Sequence, residues 1–217
     1  MPMQESTRKS SAERREQIAQ TVLRMIGEQG ISAFTTTALA REVGVTSGAL
    51  FRHFDTRDEM LRESVRYATE MIDATFPDNA LSPGDRLMAF ARNRVHLLQS
   101  EPGIVWLLTS EQARLALTGD AVELLEKRVK RSRQFVLDAI REGVTEGSIR
   151  DDINPDVLLV LVIGTIHALQ GRAGTHKAAA TARSRNSDRV LKALMKMIAP
   201  NSPVKAATRN KKGEAKK

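Results

Sequence analysis

Residues 34–54 read FTTTALAREVGVTSGALFRHF, and this stretch decides the fold. It divides into a short helix at 36–43, a turn at 44–46 and a second short helix at 47–54, which is helix-turn-helix spacing. Gly44 can adopt the positive φ that ends the first helix. The residues that can close over a preceding helix are Leu39, Ala40, Val43, Val45, Leu50 and Phe54. The second helix therefore keeps its outer face free.

Helix-start signals recur along the rest of the chain, whereas strand alternation is scarce. An apolar stripe at 11–29 predicts the preceding helix, with Ser10 and Glu13 as a capping box. Further starts are marked by Thr56 with Glu59, Ser82-Pro83 with Asp85, Asp120 with Glu123, and Asn154-Pro155. They predict helices near 57–76, 83–99, 120–143 and 155–170, with others near 103–116 and 185–199. The fold class is therefore all-α.

The free face of the second short helix suits insertion into a DNA major groove, which is ~12 Å wide. It carries small or hydrogen-bonding groups and one guanidinium: Thr46, Ser47, Gly48, Ala49, Arg52 and His53. Thr35, Thr36 and Thr46 stand at helix starts, where hydroxyls and free amides can bind phosphate oxygens. We expect Arg57 to bind a phosphate oxygen in the same way at the start of the next helix.

The net charge of +8 is concentrated at the C-terminal end. Residues 201–217 hold six basic residues against Glu214, a net of +5, so the first 200 residues carry +3. We predict a disordered basic tail at 201–217 and a disordered arm at 1–10. The tail is either a solvated appendage or a source of salt-sensitive, nonspecific DNA affinity. Specific DNA binding must come from a local site.

Several functional classes find no support in the sequence. It has no cysteine, and its four histidines lack metal-site spacing, so we expect neither metal nor cofactor. It contains no Gly-rich phosphate loop, Gly-x-Ser-x-Gly elbow or HExxH motif, which argues against an enzyme. The longest uncharged run, 157–171, is shorter than the ~20 residues of a membrane span. Because no apolar stretch follows the first 16 residues as in a signal sequence, we expect a cytoplasmic protein.

The stretch GVTSGALFRHFDTRDEML, residues 44–61, resembles the signature of the TetR family of transcriptional regulators. The positions that match are Gly44, Val45, Gly48, Leu50, Phe51, His53, Phe54, Arg57 and Leu61. The match is dense over 14–62, and residues 146–169 are also similar to the family's entry into its penultimate helix. The resemblance implies a three-helix DNA-binding domain at 11–56 and a larger helical domain at 57–200 for ligand binding and dimerisation.

The resemblance also implies roles for individual residues. Thr36, His53 and Arg57 would contact phosphates, whereas Thr37, Ser47, Ala49 and Arg52 would lie near base edges. Phe51 replaces the usual tyrosine and, having no hydroxyl, keeps only van der Waals contact with DNA. Thr37 is shorter than the arginine of some members. We therefore expect base readout to rely on Arg52 and on DNA shape.

The segment VLLVLVIGTIHALQ, residues 157–170, would form a helix with apolar side chains on nearly every face. Two sides of this helix must therefore be buried against other helices. A second apolar segment at 190–198 can pack beside it. Two such helices from each of two subunits would form a four-helix dimer interface, the arrangement that the resemblance implies. The predicted interface residues are Leu159, Ile163, Gly164, His167, Leu191, Leu194, Met195 and Ile198. His167 would pack in the seam, and a pH-sensing role is the alternative.

The helices between 87 and 137 surround an effector cavity in this family. The predicted lining residues are Phe90, His96, Leu97, Trp106, Leu107, Glu111 and Phe135, and with Leu108 they would favour a hydrophobic or amphipathic small molecule. Trp106 could equally be ordinary core, and a histidine such as His96 is more often a satisfied interior or surface residue than a ligand contact. The predicted function is a homodimeric repressor that leaves a palindromic DNA operator when the effector binds. The alternative is a DNA-bound protein of the same fold that acts through a protein partner.

Overall fold

The computed structural model describes residues 10–170 and 177–200, with the side chains of 177–183 left out, and in these ranges the regular elements are all helical. The helices are α1 (Ser11–Gln29), α2 (Thr36–Val43), α3 (Ser47–Leu50), α4 (Arg57–Asp73), α5 (Pro83–Ser100), α6 (Pro102–Thr109), α7 (Glu111–Ala116), α8 (Asp120–Glu146), α9 (Pro155–Ala168) and α10 (Lys177–Ile198), with a 3-10 turn at Ile31–Ala33. The all-α prediction is confirmed. None of the described helices is long and apolar enough to cross a membrane. The predicted tail at 201–217 and the arm at 1–9 lie outside the described residues.

Most of the predicted helix starts are confirmed by their capping hydrogen bonds. Ser10 Oγ accepts from the amide of Glu13 at 3.2 Å, and the Glu13 carboxylate accepts from the amide of Ser10 at 2.7 Å, which completes the capping box. The side chains of Thr56, Ser82 and Asn154 cap α4, α5 and α9 in the predicted way. These contacts satisfy amides that have no partner within the helix.

The second short helix is a correction to the sequence-based prediction, because α3 ends at Leu50 rather than at residue 54. Residues 51–53 form a turn. At the end of this turn the Arg15 guanidinium of α1 binds the carbonyl oxygen of His53. Phe54 then turns inward and is buried at 1% exposure. A contact with α1, which is distant in sequence, thus holds the backbone that follows α3.

Three other boundaries differ from the predictions. Asp120 is not a cap: it is the first residue of α8, and Gly119 with φ 56° precedes it. The helix predicted at 103–116 is divided at Ser110, whose extended backbone separates α6 from α7 and whose hydroxyl caps α7. The last helix begins at Lys177, earlier than predicted.

One continuous apolar core joins the N-terminal helices to the rest of the molecule. Helix α4 packs against both α1 and α8, and α6 packs directly against α1. The approach of α6 to α1 requires glycine. A Cβ on Gly27 would lie 2.5 Å from the carbonyl carbon of Pro102 and 2.9 Å from the Cα of Gly103. These contacts bring the backbone of the larger helical part against the helix-turn-helix.

A buried cation lies in the larger part, between α4, α5 and α8. Arg94 is 7% exposed and donates to Thr75 Oγ1 at 2.8 Å and to Ser132 Oγ at 3.2 Å. Its guanidinium also lies 4.9 Å from the ring centroid of Phe90. Burial lowers the pKa of Arg94 to about 10, so the group stays charged at neutral pH. These neutral acceptors and the ring hold the end of α4 onto α5 and α8.

Candidate DNA-binding and effector sites

The predicted DNA-binding residues lie together on and around α3. Thr35, Thr37, Thr46, Gly48, Phe51 and Arg52 are exposed, and Thr36, Ser47, Ala49, His53 and Arg57 are half-buried. Leu50 and Phe54 face the opposite way and are buried at 0% and 1% exposure. They anchor α3 to the core, so its other face is presented outward.

Gly48 gives this face a position without a side chain. A Cβ at Gly48 would meet nothing within 4 Å, so no contact within the described part of the protein demands a glycine there. Arg52 is exposed beside it and makes no ion pair with a described residue. The face thus combines a position without a side chain and a free guanidinium, which are suited to close approach and to hydrogen bonding with a base edge.

The threonines at the helix starts are already used as caps. Thr35 Oγ1 accepts from the amide of Ala38 at 3.1 Å, and Thr46 Oγ1 accepts from the amide of Ala49 at 3.2 Å. A hydroxyl that accepts one hydrogen bond can still donate its own hydrogen. The two hydroxyls can therefore donate to phosphate oxygens while they cap α2 and α3.

Two of the predicted phosphate ligands also have structural partners. Arg57 Nε donates to the carbonyl oxygen of Phe34 at 3.0 Å, and its guanidinium lies 4.4 Å from the Phe34 ring centroid. His53 Nδ1 lies 3.3 Å from Ser11 Oγ. The terminal nitrogens of Arg57 and the Nε2 of His53 make no hydrogen bond with described residues, and these are the atoms left for phosphate.

A charged cluster that the sequence analysis missed fixes the loop after α3. Arg15 binds the carbonyl oxygen of His53, and its Nη2 also pairs with Glu59 Oε1 at 3.1 Å. Glu59 Oε2 accepts from the amide of Asp55 at 2.7 Å. This backbone hydrogen bond and the Arg15 cation hold the pKa of Glu59 below its ordinary value. Arg15 lies about 40 residues away in sequence, so local patterns carry no signal of the cluster.

The larger helical part contains a cavity of about 720 Å³, which we call the α8 cavity because α8 supplies most of its wall. Its apolar lining consists of Leu107, Leu108, Leu117, Val122, Leu125, Val129, Leu137 and Leu159. Its polar lining consists of Arg114, Glu126, Lys130, Arg133, Gln134 and Asp156. The most deeply buried wall residues are leucines and the charged residues are exposed, so the cavity has an apolar floor and a charged rim.

Of the predicted effector-site residues, the structure places Leu107 on this cavity, together with Leu108. Phe135 lines a neighbouring cavity of about 570 Å³ and packs with Phe76 and Phe90 at centroid distances of 5.0 and 5.3 Å. The other five do not line the α8 cavity: Phe90 and Leu97 are core, Trp106 is half-buried, and His96 and Glu111 are exposed. Sequence reasoning missed the α8 stripe because its apolar residues alternate with charged ones.

The predicted dimer residues divide into two groups. Leu159, Leu191, Leu194 and Ile198 are buried within the single chain, whereas Ile163 and Met195 are half-buried and Gly164 and His167 are exposed. The apolar surface left on α9 and α10 consists of Val157, Val160, Leu161 and Met197, which are 43–65% exposed. A groove of about 250 Å³ lies beside them, between the two helices. We call these four residues and the groove the α9–α10 face.

The fold and the exposed α3 define a helix-turn-helix DNA-binding protein, and the comparisons with known proteins agree. The family profile described as bacterial regulatory proteins, tetR family, matches residues 18–64. The HTH-type transcriptional repressor KstR2 of Mycolicibacterium smegmatis is 26% identical over 159 residues, which cover 72% of this chain and 77% of that protein. The nucleoid occlusion factor SlmA of Mannheimia succiniciproducens is 30% identical over 156 residues, covering 64% of this chain and 68% of SlmA.

A solved structure shares the fold at lower sequence identity. AibR, in complex with isovaleryl coenzyme A and operator DNA, aligns with a TM-score of 0.68 and 18% identity, over 86% of this chain and 98% of AibR. The chain belongs to the TetR family of bacterial regulatory proteins. It is a DNA-binding transcriptional regulator.

Proposed function

We propose that the protein is a homodimeric repressor that binds a roughly palindromic DNA operator and leaves it when a small amphipathic effector binds. In this proposal residues 11–56 bind DNA and residues 57–200 dimerise and bind the effector. The main observation in support of this proposal is that α6 connects the α8 cavity with the DNA-binding region. Leu107 and Leu108 of α6 line the α8 cavity, and Gly103 of the same helix packs against the backbone of α1.

Binding of DNA rests on the outward face of α3. Arg52 contributes the hydrogen-bond donors for a base edge, and Gly48 allows the backbone to approach it. Thr35, Thr46 and His53 surround the helix and position it through phosphate contacts, which set register without reading sequence. Because Phe51 lacks a hydroxyl, it contributes van der Waals contact alone.

Dimerisation rests on the α9–α10 face. A second copy that placed the same face against it by a twofold axis would cover Val157, Val160 and Met197 and form a four-helix interface. A twofold dimer brings two recognition helices to the same side of the DNA, about one helical turn or ~34 Å apart. This geometry is the reason for expecting a palindromic operator.

Effector response follows from the position of α6. A ligand that fills the α8 cavity contacts Leu107 and Leu108 of α6. Because Gly103 of the same helix packs against the backbone of α1, a displacement of α6 also displaces α1. A ligand that prefers the conformer with wrongly spaced recognition helices weakens operator binding by its preference between the two conformers. AibR, solved with operator DNA and isovaleryl coenzyme A, supports pairing an amphipathic ligand with this fold.

The test has two parts and uses the full chain. Selection of bound fragments from genomic DNA should return a site with twofold symmetry, and sedimentation at micromolar concentration should show a dimer. Binding to every duplex with equal affinity, or a stable monomer, would overturn the corresponding half of the proposal. Fluorescence anisotropy of the selected operator then measures release by candidate ligands.

A further inference from the structure

We infer that the α8 cavity binds a molecule with an apolar chain and an anionic head group, whose charge is neutralised by Lys130 and Arg133. The inference rests on the proposed function and narrows its effector to one chemical class. It depends on three features of the cavity: the depth at which its apolar wall is buried, the position of its cations and the excess of cations over carboxylates at its rim.

The floor of the cavity is suited to an apolar chain. Leu107 and Leu159 are each 4% exposed and Leu117 is 6% exposed, although all three border the open volume. The volume of about 720 Å³ lies in the range of cavities that enclose small ligands. An alkyl chain that fills this space removes leucine side chains from water, which favours binding.

The rim carries two cations, Lys130 and Arg133, that have no partner among the described residues. Lys130 and Arg133 are exposed and lie three residues apart on α8, so their side chains emerge from the same face of the helix. Neither forms an ion pair or a side-chain hydrogen bond with any described residue. An anion at the rim can therefore bind both without first displacing a carboxylate.

Two carboxylates share the rim with three cations. Asp156 is in the first turn of α9, where the free amides and the helix dipole stabilise a negative charge. Glu126 lies four residues before Lys130 on α8, but no ion pair joins the two side chains. Arg114 is 3.9 Å from Glu111. The cations Arg114, Lys130 and Arg133 outnumber the carboxylates Glu126 and Asp156, so a ligand anion can balance the positive excess at the rim.

The test measures binding of chemically matched probes through the tryptophan of α6. Trp106 is the one tryptophan of the chain and precedes the cavity residue Leu107, so its fluorescence reports on the cavity wall. The probes share a dodecyl chain and are used below their micelle concentrations: dodecanoate, dodecanoyl coenzyme A, dodecanol and dodecyltrimethylammonium. We expect the anionic probes to bind at least about tenfold more tightly than dodecanol, since hydrogen bonds to a charged group are stronger than those between neutral groups.

Charge-removing variants then test the two cations. Lys130→Gln combined with Arg133→Gln should reduce the preference for dodecanoate over dodecanol to about twofold or less. The matched control is Arg141→Gln, an exposed arginine of the same helix that does not line the cavity, and it should keep the wild-type preference. Equal binding of dodecanol and dodecanoate by the wild type, or an unchanged preference in the double variant, overturns the inference.

The two anionic probes distinguish the source of the head group. Tighter binding of dodecanoyl coenzyme A supports a phosphate-bearing thioester, and tighter binding of dodecanoate supports a free carboxylate. Failure of the inference can be told from failure of the proposed function because these measurements contain no DNA. Anionic probes that bind without releasing the operator support the inference and refute the effector half of the proposed function. Release of the operator by dodecanol but by neither anionic probe supports the effector half of the proposed function and refutes the inference.

Discussion

Gly27 of α1 and Gly103 of α6 face each other so closely that neither position has room for a side chain. A Cβ on Gly27 would lie 2.9 Å from the Cα of Gly103, and a Cβ on Gly103 would lie 3.0 Å from the Cα of Leu23. The atoms in the way are backbone atoms, which cannot rotate aside as the end of a side chain can. The distance between α1 and α6 is thus set by backbone contact, and a displacement of α6 is transmitted to α1 directly.

The variant Gly103→Ala should therefore destabilise the protein by about 1–3 kcal/mol, because α1 and α6 must separate to admit the methyl group. Thermal unfolding measures the effect. The matched control is Gly84→Ala, since a Cβ at Gly84 meets nothing within 4 Å. An equal melting temperature for wild type and Gly103→Ala would show that the helices separate without cost, which contradicts the backbone contact.

Removal of the Arg52 guanidinium should weaken operator binding without affecting folding. Arg52→Ala should cost about 1–3 kcal/mol, concentrated at one operator position, if the side chain hydrogen-bonds a base edge. Anisotropy titrations with single-base operator variants measure the loss. Arg141→Ala on α8 serves as the control for loss of a positive charge. A uniform loss over all operator sequences would reassign Arg52 to a phosphate contact.

A charge on the α9–α10 face should dissociate the dimer. Val160→Asp places a carboxylate where a second copy would cover the 60% exposed side chain, and an unpaired buried charge costs about 3–5 kcal/mol. Analytical ultracentrifugation should show monomer at concentrations where the wild type is dimeric. Leu115→Asp adds the same charge on α7 and should leave the dimer intact. If Val160→Asp sediments like the wild type, the dimer forms through another surface.

Glu59 should contribute to the acid sensitivity of the DNA-binding region. Its pKa is lowered by the hydrogen bond from the Asp55 amide and by Arg15, so its folded pKa lies below the unfolded value. Its stabilisation is then fully present above the unfolded pKa and is lost as the pH falls through the folded pKa. The variant Glu59→Gln should show a shallower loss of unfolding free energy below about pH 5 than the wild type. Glu146→Gln, at an exposed site on α8, should follow the wild-type curve.

The sequence alone determined the features that depend on neighbours along the chain. Capping residues such as Ser10, Thr56 and Asn154 mark helix starts because side chain and amide lie within three residues of each other. The helix-turn-helix follows from apolar spacing together with Gly44, which has φ 77° in the structure. These patterns identified the fold class and the family, and they predict that the outward face of α3 binds DNA.

Tertiary structure decided the features that depend on residues distant in sequence. Arg15 binds the backbone carbonyl of His53 after the end of α3, and the packing of α6 against α1 depends on two glycines 76 positions apart. The same packing buries Leu191 and Ile198 inside the chain and leaves Val160 60% exposed. Apolar residues recur at the same intervals along a helix whether they face the core of their own chain, a cavity or a partner. The sequence pattern therefore cannot tell these surroundings apart. They are determined only when the helices pack against one another, because the burial of a side chain depends on its neighbours in space.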